Sequence, residues 1–135
     1  MTSLDAGAAR ERIEGEHGDV VAAVDACADA VAESWDGDAA DDAAAVADPL
    51  EACLAERGVL DALPGVLADA VAAAGGELQA SPVAAPPYVV VTSRGPVLRA
   101  TTDDGRLVAR IDAFRVTTGG GYERAPATAV AVSVR

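Results

Sequence analysis

Four arginines in the C-terminal part of the chain, Arg94, Arg99, Arg106 and Arg110, are the residues best suited to bind something. A guanidinium group donates hydrogen bonds in a planar fork that matches a carboxylate or a phosphate. All ten basic residues are arginines, whereas 22 residues are acidic, and the formal net charge is −12. Positive charge kept in so acidic a chain predicts a site for an anionic ligand or partner, and these four arginines are its candidates.

The arginines lie in segments that alternate like β-strands. Two such segments flank Asp103–Asp104–Gly105, which is a hairpin signal with glycine at the left-handed position. If the apolar residues of both strands share one face, Arg99, Arg106 and Arg110 gather on the other. A shift of one residue in the pairing of the two strands would move the side chains of one strand to the opposite face. The sequence does not assign Arg94 to either face.

Three interpretations of this arginine face are possible. The arginines could pair with acidic helices of the same molecule or of a neighbouring copy, which predicts a homo-oligomer. They could hold a small anion of unknown identity, in which case at least two guanidinium groups should line a concave pocket. Nucleic acid is the least favoured partner, because phosphate binding weakens with salt and the candidate recognition helix, residues 60–74, has no basic residue.

Residues with catalytic or metal-binding chemistry are few. His17 is the only histidine, and its place on an apolar helix seam predicts a hydrogen-bonded histidine at the core boundary. Cys27 and Cys53 lack a CxxC spacing and are predicted to be buried thiols, with a disulfide between neighbouring helices as the alternative. The acidic stretch 36–47 lacks the glycine and glutamate of a calcium loop, and the glycine-rich stretch 117–124 precedes no helix. We therefore expect no cofactor, no metal and no catalytic residue, which favours a non-enzymatic protein.

The first part of the chain has the period of helices. Apolar or weakly polar residues recur at intervals of three and four over 13–35, as on a helix face that packs against a core. A short second helix is expected over 38–47. A third over 48–58 begins with the Asp-Pro-x-Glu pattern of a capped helix. The last covers 60–74, with Pro64 in its first turn or at a break.

The second part of the chain has the pattern of strands, which we place at 88–94, 96–102, 106–116 and 127–135. The predicted fold class is α+β, with three to four N-terminal helices packed on one face of a four-stranded antiparallel sheet. A length of 135 residues fits a single domain, with an acidic helical part over 1–76 and a strand-rich part over 77–135.

The charge is divided between the two parts of the chain. Residues 1–85 carry a net charge of −15, and residues 86–135 carry +3. The abundant aspartate, the absence of lysine and the richness in alanine, valine, arginine and glycine resemble small proteins of halophilic archaea. This resemblance implies adaptation to high salt, where counter-ions screen the carboxylates, and it implies no activity.

The sequence opens with no signal peptide and holds no apolar run of membrane-spanning length, so we expect a cytoplasmic protein that does not enter a membrane. The function predicted is that of a non-enzymatic interaction module that self-associates. A winged-helix-like regulator associated with DNA is the alternative, because helices followed by a hairpin resemble that fold. A protein that binds a small anionic ligand is the third possibility.

Overall fold

The computed structural model describes residues 3–135 of the chain, which form four helices and one five-stranded antiparallel sheet. The elements in chain order are α1 (Ala6–Glu16), α2 (Gly18–Glu33), β1 (Ala39–Ala40), α3 (Ala44–Glu56), α4 (Val59–Ala73), β2 (Val89–Val91), β3 (Pro96–Thr102), β4 (Gly105–Val116) and β5 (Tyr122–Val134). The strands are ordered β1-β5-β4-β3-β2 across the sheet. The predicted α+β class is confirmed, with five strands in place of four.

All four helices contact the sheet, and they pack on one of its faces. Helices α1 and α2 lie on β5, α4 lies on β3, and α3 lies beside α2 and α4 and reaches β2. The core between the two layers is made of leucine, valine, isoleucine and alanine side chains around Phe114. The opposite face of the sheet carries no helix, and we call it the open face.

The apolar seam predicted over 13–35 is confirmed, but it belongs to two helices. Ile13, Val24 and Cys27 are fully buried. The chain bends at His17, which ends α1 and precedes α2. The division is consistent with the low helix propensity of the glycines at positions 15 and 18.

The predicted boundaries of the next two helices were wrong. Residues 44–56 form one helix, and its start at Ala44 is capped by the Asp42 carboxylate, which accepts a 2.9 Å hydrogen bond from the Ala44 N–H. The Asp-Pro-x-Glu pattern therefore lies inside α3. Pro49 and Pro64 both occupy the sixth position of their helices, where each omits one main-chain hydrogen bond without ending the helix.

The additional strand, β1, comes from the acidic part of the chain. Ala39 and Ala40 pair with Glu123 and Tyr122, so β5 begins five residues earlier than the sequence predicts. Pro126 ends the loop that the sequence pattern predicts over residues 117–126. It lies where the β4–β5 register shifts between Asp112 and Phe114, and such an irregularity is one of the few places where a sheet accepts proline.

The hairpin between β3 and β4 has the register in which the apolar residues of both strands share one face, whereas the sequence left a slip of one residue open. Thr102 pairs with Gly105 across Asp103 and Asp104, and Gly105 has a φ of +133°. Arg99 is therefore directly opposite Val108. The buried residues Leu98, Ala100, Leu107 and Ala109 share the helix-covered face.

Candidate functional site

Arg99, Arg106 and Arg110 lie together on the open face, as the alternation predicts. Arg106 and Arg110 are two residues to either side of Val108, so both are diagonal neighbours of Arg99 across the β3–β4 pair. Diagonal neighbours in a sheet are close enough for long side chains to meet. Val108 is only 9% exposed although no helix covers it, which is consistent with coverage by the aliphatic stems of these arginines.

Two of these arginines line a concave site at the edge of β3, which we call the β3 cleft. Strand β2 pairs with β3 only as far as Leu98, and beyond it the segment around residues 78–88 lies beside β3. The space between them has a volume of about 400 Å³, which is in the range of small-molecule sites. Its walls are Leu78, Gln79, Ala80, Pro87, Tyr88, Arg99, Ala100, Thr101 and Arg106.

The polar groups of the β3 cleft are mostly donors. Neither Arg99 nor Arg106 has a carboxylate within ion-pair distance among residues 3–135. The Arg99 N–H donates to the Tyr88 carbonyl, and antiparallel alternation directs the Thr101 N–H towards the same side of β3, where β2 has ended. The nearest acidic turn residue, Asp103, accepts a 2.7 Å hydrogen bond from Gln79 Nε2.

The other two candidate arginines lie outside the cleft. Arg110 is on the open face but pairs at 3.5 Å with Asp112, two residues along its own strand. Arg94 is exposed in the β2–β3 turn, and its main-chain carbonyl accepts hydrogen bonds from the N–H groups of Ala113 and Phe114. The structure thus brings three of the four predicted site residues to one face and two of them, Arg99 and Arg106, into the cleft.

Arg124 makes the ion pair between an arginine of the sheet and an acidic helix that the sequence suggested. It was not among the candidate arginines. Its side chain is 18% exposed and lies between β5 and α2, where it pairs with Asp25 and, at 3.1 Å, with Asp29. It also donates to the carbonyl of Ala113 at 2.8 Å. The four-residue interval between the two aspartates is the only signal of this clamp in the sequence, because β5 had been assigned as a loop at this point.

Asp25 is the centre of this clamp. Its carboxylate accepts a 2.7 Å hydrogen bond from the Thr128 hydroxyl and another from Arg124 Nη2. The Thr128 hydroxyl first, and then the Arg124 guanidinium, hold the pKa of Asp25 below its ordinary value of 3.8. Since the folded pKa is lowered, this carboxylate stabilises the fold above its ordinary pKa and loses that contribution as the pH falls.

Replacing Arg124 with alanine should lower the free energy of unfolding by about 2 kcal/mol at neutral pH, because the partly buried Ala113 carbonyl loses a donor. Arg115→Ala is the matched control: Arg115 pairs with Glu123 but is 54% exposed, and its loss should cost less than about 1 kcal/mol. Denaturant unfolding between pH 7 and acid would measure both. The deficit of Arg124→Ala should shrink as Asp25 becomes protonated, and equal costs for the two variants would contradict the clamp.

The outer edge of β5 is a second candidate interaction surface. Arg106 and Arg135 exchange both main-chain hydrogen bonds, so the alternation of an antiparallel pair points the main-chain groups of Val130, Val132 and Val134 away from β4. Strand β1 covers β5 only at residues 122–123. Within residues 3–135, the three valines have no main-chain partner on that side, and we call this the β5 outer edge.

A family model matches residues 7–135 of the chain, and its description is Domain of unknown function (DUF7988). The chain belongs to this family. It matches no curated protein and no solved structure. In the described part of this DUF7988 chain, no helix has both the length and the hydrophobicity needed to cross a membrane.

The cysteines of this DUF7988 chain are not free thiols. Cys27 of α2 and Cys53 of α3 form a disulfide with a Cα–Cα distance of 5.8 Å, so the prediction of two thiols was wrong and its alternative is correct. Helical segments of unknown packing gave no means of placing the two residues side by side. Disulfides are typical of oxidising compartments, and a cytoplasmic location stays a prediction.

The remaining residues with possible chemistry have structural partners in the DUF7988 fold. His17 Nε2 lies 2.8 Å from Asp69 Oδ2 and links the α1–α2 bend to α4, as expected for a boundary histidine. No group of three or more His, Cys, Asp or Glu within residues 3–135 is arranged to hold a metal ion. The β3–β4 hairpin lies inside the sheet, where it is not placed as the wing of a DNA-binding domain.

Proposed function

We propose that the protein is a non-enzymatic assembly module that forms a two-fold dimer by pairing its β5 outer edge with that of a second copy. The observation that supports this proposal is the unpaired stretch of β5 from Val130 to Val134. An open strand edge offers a row of N–H and C=O groups to any strand of matching length. The proposal retains the predicted self-association, but it places the contact at the sheet edge, whereas the sequence suggested the arginine-bearing sheet face, a helix seam, or both.

The two ends of β5 differ in how the edge is protected. At its start, β1 covers residues 122–123 and Pro126 contributes no N–H. The later part, residues 127–134, has no charged residue and is made of alanine, valine, serine and threonine. Proteins protect free edges with charges, proline or bulges. An edge that is guarded at one end and unguarded at the other indicates a use for the unguarded part.

A second copy of the same strand fits this edge better than other occupants. Antiparallel pairing about a two-fold axis places Val132 opposite Val132, and Val130 of each copy opposite Val134 of the other, so every outward main-chain group of the three valines is paired. The half-buried side chains of Val132 and Val134 would be covered further. Face-to-face pairing of two open faces would instead bring Arg99 and Arg106 of one copy against the same residues of the other.

The charge of the chain supports pairing at an uncharged edge. Two chains of charge −12 repel each other, and this repulsion is weaker where the paired strand segments, residues 130–134, carry no charge and salt screens the rest. We therefore expect dimerisation to strengthen as the salt concentration rises. This direction also agrees with the proposed adaptation to high salt.

Sedimentation velocity over a range of protein and KCl concentrations tests the proposal. The wild-type chain should sediment at twice the mass of one chain. Val132→Pro removes an N–H that points away from β4, so it should raise the dimer dissociation constant by about tenfold or more while leaving the β4–β5 ladder intact. Val134→Lys should have the same effect by placing a charge at the edge.

Val90→Lys is the matched control, because it places the same charge on β2 at the opposite side of the sheet. It should leave the dimer unchanged. Circular dichroism and thermal unfolding would establish that each variant is folded. A wild-type chain that stays monomeric in molar KCl, or a dimer that Val134→Lys weakens no more than Val90→Lys does, would overturn the proposal.

A further inference from the structure

We infer that the β3 cleft is a binding site for a small phosphomonoester, with Arg99 and Arg106 as the residues that hold the phosphate. This inference is independent of the proposed dimer. The strand order places β3 and β5 on opposite sides of β4, so the cleft stays open in an edge-paired dimer.

The first argument is the unbalanced charge in the cleft. Arg99 and Arg106 are diagonal neighbours of like sign, so an anion held between them would offset the repulsion of their guanidinium groups. The chain has 22 acidic residues, yet none of those in residues 3–135 pairs with either arginine. The other three arginines of β4 and β5 each pair with a carboxylate, namely Arg110, Arg115 and Arg124. Internal pairing therefore accounts for the guanidinium groups of those three and leaves those of Arg99 and Arg106 without a carboxylate partner among residues 3–135.

The second argument is the type of donor that surrounds the two guanidinium groups. Thr101 is exposed and lies on the same wall of the cleft, and its N–H has no main-chain partner among residues 3–135. Two guanidinium forks with a main-chain N–H and a hydroxyl offer more donors than one carboxylate can accept. A phosphate group has three peripheral oxygens and up to two negative charges, so it can accept from all of these groups at once.

The third argument is the apolar part of the cleft, which sets the remainder of the ligand. Leu78, Ala80, Pro87 and Tyr88 form the wall across from the arginines. A free phosphate ion would leave this wall uncovered, whereas a phosphate ester with a small planar or aliphatic group would lie against it. The volume of about 400 Å³ admits a ligand of that size and excludes a polymer from the interior of the cleft.

Isothermal titration calorimetry of the full chain with phenyl phosphate, inorganic phosphate and succinate tests the site. Phenyl phosphate should bind saturably and more tightly than inorganic phosphate, and succinate should bind more weakly than phenyl phosphate. Arg99→Gln and Arg106→Gln should each raise the dissociation constant of phenyl phosphate by about tenfold or more. Both side chains are exposed, so the variants should keep the fold, which circular dichroism would verify.

Arg110→Gln is the matched control, because it removes the same charge from the same face outside the cleft; it should change affinity by less than about twofold. Amide shifts in an ¹H–¹⁵N titration should centre on Thr101. Three results would each overturn the inference: no saturable binding of phenyl phosphate, equal weakening by Arg110→Gln, or tighter binding of succinate. The dimer test reads sedimentation alone, so failure of one proposal leaves the other standing.

Discussion

Replacing Gly95 with alanine should destabilise the fold by about 3 kcal/mol or more, because the residue combines a left-handed backbone with a contact that leaves no room for a side chain. Gly95 has a φ of +143°, and a Cβ atom on it would lie 1.9 Å from the Ile111 carbonyl oxygen. The residue is buried where the β2–β3 turn lies against β4. Neither the turn nor the central strand can move aside without breaking main-chain hydrogen bonds.

Denaturant unfolding of Gly95→Ala in high salt would measure this loss, with Gly119→Ala as the matched control. A Cβ on Gly119 would meet nothing within 4 Å, so its replacement should change the free energy of unfolding by less than about 0.5 kcal/mol. Similar midpoints for the two variants would contradict the close approach of the turn to β4.

The turn that contains Gly95 also shows how Arg94 is held in this segment. The turn is held against β4 by the Arg94 carbonyl, which accepts from Ala113 and Phe114. Arg94 is thus fixed through its main chain, and its side chain remains in solvent. Its guanidinium group plays no part in the contact, although the sequence offered it as a binding residue of equal rank with Arg99.

The sequence predicted those features that depend on one element or on two adjacent elements. The helical period located the buried face of α2. Alternation on either side of Asp103–Asp104–Gly105 placed Arg99 and Arg106 on one face, on the condition that the apolar residues of both strands share the other. The sequence left the hairpin register open, and the structure shows the register that meets this condition.

Features that depend on elements distant in sequence could not be predicted. The Arg124 clamp joins residues about a hundred positions apart, and β1 is a strand only because the start of β5 lies beside it. Two alanines among acids have no strand pattern of their own. The β3 cleft likewise exists because β2 begins only at Val89, opposite Leu98, while β3 continues to Thr102, and strand ends are poorly marked in sequence.

The disulfide also depends on elements whose packing the sequence does not show. Its reduction is expected to have the second large effect on stability. Reduction of Cys27–Cys53 should lower the free energy of unfolding by about 3 kcal/mol, since the bond closes a loop of sequence separation 26 in the unfolded chain. The bond joins α2 to α3, and α3 contacts the sheet mainly at the short strand β2. Loss of the bond should therefore loosen α3 before the rest of the fold.

Denaturant unfolding of the wild-type chain with and without a reducing agent would measure this effect. The double variant Cys27→Ala, Cys53→Ala is the control: it should unfold near the midpoint of the reduced protein and should not respond to the reductant. On reduction, the amide hydrogen-exchange rates should rise most in α3 and at its contacts with α2. If the wild-type chain ignored the reductant and both cysteines reacted with a thiol reagent after unfolding without reduction, the residues would be the thiols that their sequence context suggested.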